Sequence, residues 1–305
     1  LKELFKDRPE TRDLQQGYST LLVIPKHCEK RLEGVLADTL AHPGSLTRAK
    51  LAYKVLHKNF ETRDAALPMS IAIEYFHTAS LLLDDLPCMD DAYTRRGQTC
   101  PHRIYGEAAC ILGALAFINR AYALVWQAMA GLPQTRSKPA AALLEHCLGA
   151  AGVINGQSMD VHFREGQKDE ESVAAIARGK TVTLIRLTLV VPALMVGASA
   201  QEVALLDKLS LHWGSAYQLL DDFKDVLGDV TSAKTSGRDF ELQRPNMVLC
   251  VGLNTSWQRL DTHFSKCEAV LTSLAELPRD WSFLTALQQH LLDERTRLQS
   301  LSQAA

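Results

Sequence analysis

From Ile71 to Asp85 the chain reads Ile-Ala-Ile-Glu-Tyr-Phe-His-Thr-Ala-Ser-Leu-Leu-Leu-Asp-Asp, apolar on nearly every face of a helix and closed by two adjacent carboxylates. A helix that is apolar nearly all round has to be surrounded by other elements, which places this one at the centre of a helical bundle. Its neighbours read the same way. Apolar residues recur at helical spacing from Leu14 to about Leu40, from Leu46 to His57 and from Pro68 to Asp85. Further helices are predicted over 107–131, 138–160, 169–178, 180–197, 201–228, 257–272 and 280–301. His42-Pro43-Gly44-Ser45, Leu132-Pro133-Gln134 and Leu277-Pro278-Arg279 punctuate them. Neither Val/Ile/Thr alternation with hairpin turns nor a Gly-rich strand-to-helix turn is present, which argues against a dinucleotide-binding sheet. The fold class expected is all-α, with residues 1–305 forming one domain.

Composition narrows the function. The chain is 47% hydrophobic and only 7% aromatic, a bias towards helix rather than sheet. With 33 Lys+Arg against 35 Asp+Glu the net charge is −2, so no global basic field draws it to nucleic acid or acidic membranes. The seven cysteines contain no Cys-x-x-Cys pair, which argues against a zinc site and suits buried thiols in a reducing cytoplasm. The longest apolar stretch, Leu187 to about Ala200, is interrupted by Thr188 and Pro192 and falls short of the ~20 residues of a membrane span.

Two acidic clusters carry the chemistry. One is Asp84-Asp85-Leu86-Pro87-Cys88-Met89-Asp90-Asp91; the other is Gln218-Leu219-Leu220-Asp221-Asp222-Phe223-Lys224-Asp225. Asp221 and Asp225 are i and i+4 and share a helix face. A solvated helix end explains one such cluster as readily as a site does. Two, both fused to apolar helices, call for cations to offset their mutual repulsion. Every candidate ligand is a hard oxygen, which selects Mg²⁺ held by a few carboxylates and a phosphate ligand. Arg95-Arg96, Lys180-Thr181 and Lys234 supply basic groups beside the clusters.

At these residues the sequence resembles the trans-isoprenyl diphosphate synthases, the polyprenyl synthetase family that includes farnesyl and geranylgeranyl diphosphate synthases. His77 through Asp84, Asp85, Asp90 and Arg95-Arg96-Gly97 resembles the family's first aspartate-rich motif, and Tyr217-Gln218 through Asp221, Asp222 and Asp225 the second. Gly156-Gln157-Ser158-Met159-Asp160, Gly179-Lys180-Thr181 and Lys234-Thr235-Ser236-Gly237-Arg238-Asp239 follow the family's order. The resemblance implies a helical bundle around a central cavity and a homodimer. It further implies about three Mg²⁺ ions held by Asp84, Asp85, Asp90, Asp221, Asp222 and Asp225. On the same basis Arg95, Lys180, Gln218 and Lys234 bind the diphosphate of an allylic substrate, and Arg48, His77 and Arg96 bind isopentenyl diphosphate. Thr181 and Gln218, with Lys180, would assist ionisation.

The pattern is broken in places. Where the family usually carries Gly-Lys-x-x-Arg-Pro, this chain has Gly44-Ser45-Leu46-Thr47-Arg48-Ala49, and Lys50 stands on the wrong face to replace the missing Lys. One lost ammonium contact costs ~1–3 kcal/mol. The family sets product length beneath the first motif, where Ala79 and Ser80 are small, with Phe117 as a lower stop; this favours geranylgeranyl diphosphate, C20. Farnesyl or longer products, a class I terpene cyclase and a non-catalytic partner subunit are the competing readings.

Overall fold

Apolar spacing becomes helix wherever no proline or glycine intervenes. In the computed structural model the described residues, 9–163, 169–228 and 243–304, are almost wholly helical. The chain divides into two compact units, residues 1–137 and 138–305.

In the first unit, α4 (Arg63–Asp84) packs along α6 (Glu107–Met129) and is flanked by α3 (Thr47–His57) and α1 (Pro9–Thr20). Tyr75, Met69, Ile71 and Ala72 of α4 are wholly buried, as its all-round apolar character requires. The predicted helix from Leu14 to Leu40 is two helices, α1 and α2 (Lys30–Ala41). Pro25 falls in the break, and Glu29 starts the chain again by accepting the Arg31 and Leu32 N–H groups at 3.0 and 3.1 Å. In contrast α4 begins at Arg63 rather than after Pro68; burial of Pro68 in the core offsets the hydrogen bond its ring removes. The short helix α5 (Pro101–Tyr105) leads into α6. A two-residue antiparallel pair, Thr94–Arg95 with Gln98–Thr99, was not anticipated.

In the second unit, α11 (Ala200–Val226) is the central helix, packed against α10 (Thr183–Met195) and α13 (Leu253–Ala275). Ser199 and Glu202 form a capping box at its start. The buried Trp213 donates to Gln288 Oε1 at 2.7 Å, tying α11 to α14 (Thr285–Ala304). The predicted 138–160 helix is broken into α7 (Gln134–Leu148) and α8 (Val153–Val161). Gly152 makes the break: a Cβ there would lie 2.2 Å from the Cys147 carbonyl oxygen, so only glycine lets the chain double back. Two shorter helices, α9 (Glu170–Ala177) and α12 (Met247–Val251), complete the unit.

Among the described residues two helical stretches, Phe60–Asp84 and Glu107–Met129, are long and apolar enough to cross a membrane; the first is 72% buried inside the protein, as a core helix is.

Candidate active site

The first acidic cluster is a helix end that folds back on itself. Pro87 lacks an N–H and stops α4 just after Asp85. The chain then returns: the Asp90 N–H donates to the Asp84 carbonyl at 2.9 Å, Asp91 to Leu86 at 3.0 Å and Ala92 to Asp85 at 3.2 Å. Asp84 and Asp90, both half-buried, are thereby joined within one turn. Asp85 turns the other way. It is 2% exposed, and its carboxylate receives Arg95 Nε at 2.7 and 2.8 Å and Arg95 Nη2 at 2.6 Å. The small hairpin explains that reach, because it holds Arg95 on a strand while Arg96 and Gly97, both at positive φ, make the turn. Burial, with Asp85 alongside, pushes the Cys100 thiol up to about 12.

The second cluster repeats the division. Asp221 and Asp225 are half-buried on α11 one turn apart. Asp222 is 1% exposed and faces the core, where it accepts the Met247 N–H at 2.7 Å and Gln218 Nε2 at 2.9 Å. Its own carbonyl accepts Asn246 Nδ2 at 3.3 Å, so Asp222 ties α12 to α11. Lys224 Nζ lies 3.0 Å from Glu294 on α14. Burial pulls that ammonium's pKa down, but Asp221 and Glu294 outweigh it and hold it above the usual lysine range.

Lys180 and Thr181 were expected to open a helix; instead they lie in a π-helical segment, Arg178–Val182, between α9 and α10. Two glycines seat it. A Cβ on Gly156 would lie 2.5 Å from Gly179 C and Lys180 N, and one on Gly214 2.6 Å from Val182 Cγ2. The widened turn sends Lys180 Nζ to Asp160 Oδ2 at 2.8 Å. Thr181 Oγ1 donates to Gln218 Oε1 at 2.7 Å, and Gln218 Nε2 donates in turn to Asp222 Oδ1 at 2.9 Å. Gln218 is therefore oriented from both sides.

In the first unit a separate basic group gathers where α3 begins. Arg96 Nη1 donates to the His42 carbonyl at 3.1 Å, and its guanidinium lies so close to Gly44 that a Cβ there would sit 2.5 Å from Cζ. Arg48 is in the first turn of α3, and both arginines act on the buried Glu74 carboxylate. His77 is one turn above Glu74 on α4. Ser45, where a Lys was expected, is tied back to Thr47 Oγ1 at 2.8 Å. Among the product-length candidates, Ala79 is 1% exposed and Ser80 Oγ donates to the His77 carbonyl at 2.8 Å. Phe117 meets Tyr75 edge-to-face at 5.1 Å, and Tyr75 meets Tyr18 at 5.3 Å. Lys234 and the loop around it lie outside the described residues.

Sequence reasoning did not foresee the inward roles of Asp85 and Asp222, the pairing of Asp160 with Lys180, or Glu74. Among the described residues no group of three or more His, Cys, Asp or Glu forms a ready metal cage. The donor set nevertheless fits Mg²⁺. Beside the buried Asp85 and Asp222, Asp84 and Asp90 in the first cluster and Asp221 and Asp225 in the second are hard carboxylates at half-buried positions. Mg²⁺ takes one or two such ligands and completes its octahedron with water and phosphate.

The profile described as polyprenyl synthetase matches residues 29–277. A geranylgeranyl diphosphate synthase from Pantoea ananas is 31% identical over 215 residues, 70% of this chain and 70% of that protein. A farnesyl diphosphate synthase from Bacillus subtilis is 25% identical over 280 residues, 90% of this chain and 93% of that protein. Among solved structures, a geranyltransferase from Helicobacter pylori complexed with magnesium and isoprenyl diphosphate superposes with a TM-score of 0.77. It is 23% identical, covering 97% of this chain and 99% of that one.

Proposed function

The chain belongs to the polyprenyl synthetase family, and from that premise we propose that it is a short-chain prenyltransferase that joins isopentenyl diphosphate to an allylic diphosphate. The observation that carries the reading is the division of labour in both aspartate clusters. In each, the middle carboxylate is buried and tied to another part of the chain, Asp85 to the Arg95 guanidinium and Asp222 to the Met247 N–H, between two half-buried carboxylates.

Asp84, Asp90, Asp221 and Asp225 would hold the Mg²⁺ ions, three by family resemblance, with Asp85 and Asp222 as positioning residues. Bound Mg²⁺ supplies charge neutralisation of the diphosphate oxygens as the allylic C–O bond breaks. Lys180 adds a donor to the same diphosphate, held by Asp160 until substrate arrives. Thr181 donates its hydroxyl hydrogen to Gln218 Oε1, and the oxygens of both would stabilise the allylic cation. Arg48, His77 and Arg96 orient isopentenyl diphosphate so that its double bond meets that cation. The proton lost afterwards passes to the diphosphate.

The product proposed is C20. Ala79 and Ser80 leave the helix face below Asp84 without bulk, and two aromatic pairs, Phe76 with Tyr122 and Tyr75 with Phe117, come about one turn deeper than Ala79. A C15 product is the second reading, favoured by the farnesyl diphosphate synthase matched over 93% of its length. A homodimer is supported by the exposed Ile111, Leu112, Leu115 and Trp126 of α6. Seven free thiols support a reducing, cytoplasmic setting.

Incubation with Mg²⁺, radiolabelled isopentenyl diphosphate and C5, C10 or C15 allylic diphosphates tests the activity and the product together. Elongation of each primer is expected. Diphosphate release from the allylic substrate without incorporation would replace the reading with a cyclase. Ala79→Phe is expected to shorten the product on chromatography; an unchanged distribution would remove Ala79 from the tunnel wall.

A further inference from the structure

Glu74 is a carboxylate in the apolar core of α4, 2% exposed, and no part of the mechanism above uses it. Its Oε2 accepts the Ala49 N–H at 3.1 Å. That amide belongs to the first turn of α3, whose own N-cap residue, Leu46, sits at φ 52 and offers no side-chain cap. Glu74 therefore caps α3 from another helix. Three cations also bear on it. Burial raises its pKa, while Arg48, the Ala49 N–H, Arg96 and Lys50 pull it back. Lys50 is itself 8% exposed, and its ammonium is favoured by Glu74 against the cost of burial. Its burial and its coupling to Glu74 set it apart from the place that Ser45 leaves open.

Resting on the reading of Arg48 and Arg96 as ligands of isopentenyl diphosphate, we propose that Glu74 is the positioning residue of that diphosphate subsite: it anchors the start of α3 and gathers Arg48 and Arg96 before substrate arrives. A buried anion that fixes the first turn of α3, where Arg48 stands, and attracts both arginines electrostatically reduces the ordering that binding otherwise requires. It also spares the empty site the repulsion of clustered positive charge. Lys50 has a separate task. It balances Glu74 from the core side, so that the two arginines stay available to the ligand.

The test is E74Q in the full chain, because glutamine can still accept the Ala49 N–H and only the charge is lost. The KM for isopentenyl diphosphate should rise about tenfold or more, with the KM for the allylic substrate within twofold, since tenfold corresponds to about 1.4 kcal/mol of binding. E74Q/K50M removes the ammonium that E74Q leaves in the core without Glu74's charge. It should recover the wild-type melting temperature while KM for isopentenyl diphosphate stays high. A wild-type KM in the double variant would overturn the proposal by showing that Glu74 merely neutralises Lys50. So would a lowered KM in E74Q, which would make Glu74 a competitor of the ligand. Calorimetric titration of each variant with isopentenyl diphosphate alone gives the same comparison without turnover. If the wild type elongates no primer, the enzyme reading fails, yet the titration still decides the role of Glu74.

Discussion

Gly156→Ala adds one methyl group to α8 at its crossing with the π-helical segment. The backbone of Gly156 is not at positive φ, so the substitution brings no conformational strain of its own. The new Cβ would lie 2.5 Å from Gly179 C and from Lys180 N, both backbone atoms that cannot swing aside. Carbon contacts settle near 3.5 Å, so the two segments must part by roughly 1 Å. Overpacking of this kind costs about 1–3 kcal/mol, and the helix propensity gained on replacing glycine returns about 0.5–1. The net loss, about 1–2 kcal/mol, corresponds to a fall in melting temperature of roughly 2–3 °C for a chain of this length. Activity should suffer more than stability. The displaced backbone carries Lys180 and Thr181, and a shift of about 1 Å in a positioning group costs on the order of 100-fold in rate. Calorimetric melting and steady-state kinetics read the two effects separately. Gly131→Ala is the control, because a Cβ there meets nothing within 4 Å. A variant that melts lower but turns over at the wild-type rate would refute the idea that this crossing places Lys180 and Thr181.

The two members of the first Asp pair should behave oppositely. Asp85→Ala strands Arg95, whose side chain is 16% exposed, and should cost about 3–5 kcal/mol, a drop of roughly 5–8 °C in melting temperature for a chain of this length. Asp84→Ala should shift melting by less than about 1 kcal/mol yet reduce Mg²⁺-dependent turnover at least ~100-fold; equal melting of the two variants would contradict the division of roles. In the second unit, His263 is pushed down to about 4 by burial, with His212 3.2 Å away between the Nδ1 atoms and Lys266 and Arg259 adding positive charge. A histidine pKa depressed on folding contributes stability that is complete above the unfolded value near 6.5 and lost as pH falls towards 4. Melting of the wild type should therefore fall between pH 7 and 5 more steeply than that of His263→Gln, and parallel curves would exclude His263 as a source of acid sensitivity.

The acidic clusters were legible in the sequence because charge bunched at the end of an apolar helix has few bland explanations. What was hidden is which carboxylate does what. Asp84 and Asp85 are adjacent letters, but a helix turns about 100° between them, and only packing decides that Asp85 meets Arg95. Glu74 was read as part of an apolar run, since its partners come from α3 and from Arg96, distant in the chain. Breaks were harder than helices. Pro25 was passed over in a run that looked periodic, whereas Pro68 was given a boundary that burial overrides. The π-helical segment leaves no periodic trace. Its only written sign is a glycine in each crossing partner, Gly156 and Gly179, whose meaning depends on their meeting.

The cysteines allow a chemical consequence to be drawn. Burial raises Cys100, Cys110 and Cys267 to about 12 and Cys147 to about 11, so these thiols stay protonated and inert to electrophiles at neutral pH. Cys88 is exposed, and it stands between Asp85 and Asp90 in the turn that closes the first cluster. With the exposed Cys250 and half-buried Cys28 replaced by serine, a maleimide dye would report from that turn alone. The chain thus carries its own attachment point for an optical probe, two residues before the Asp90 N–H that bonds back to the Asp84 carbonyl.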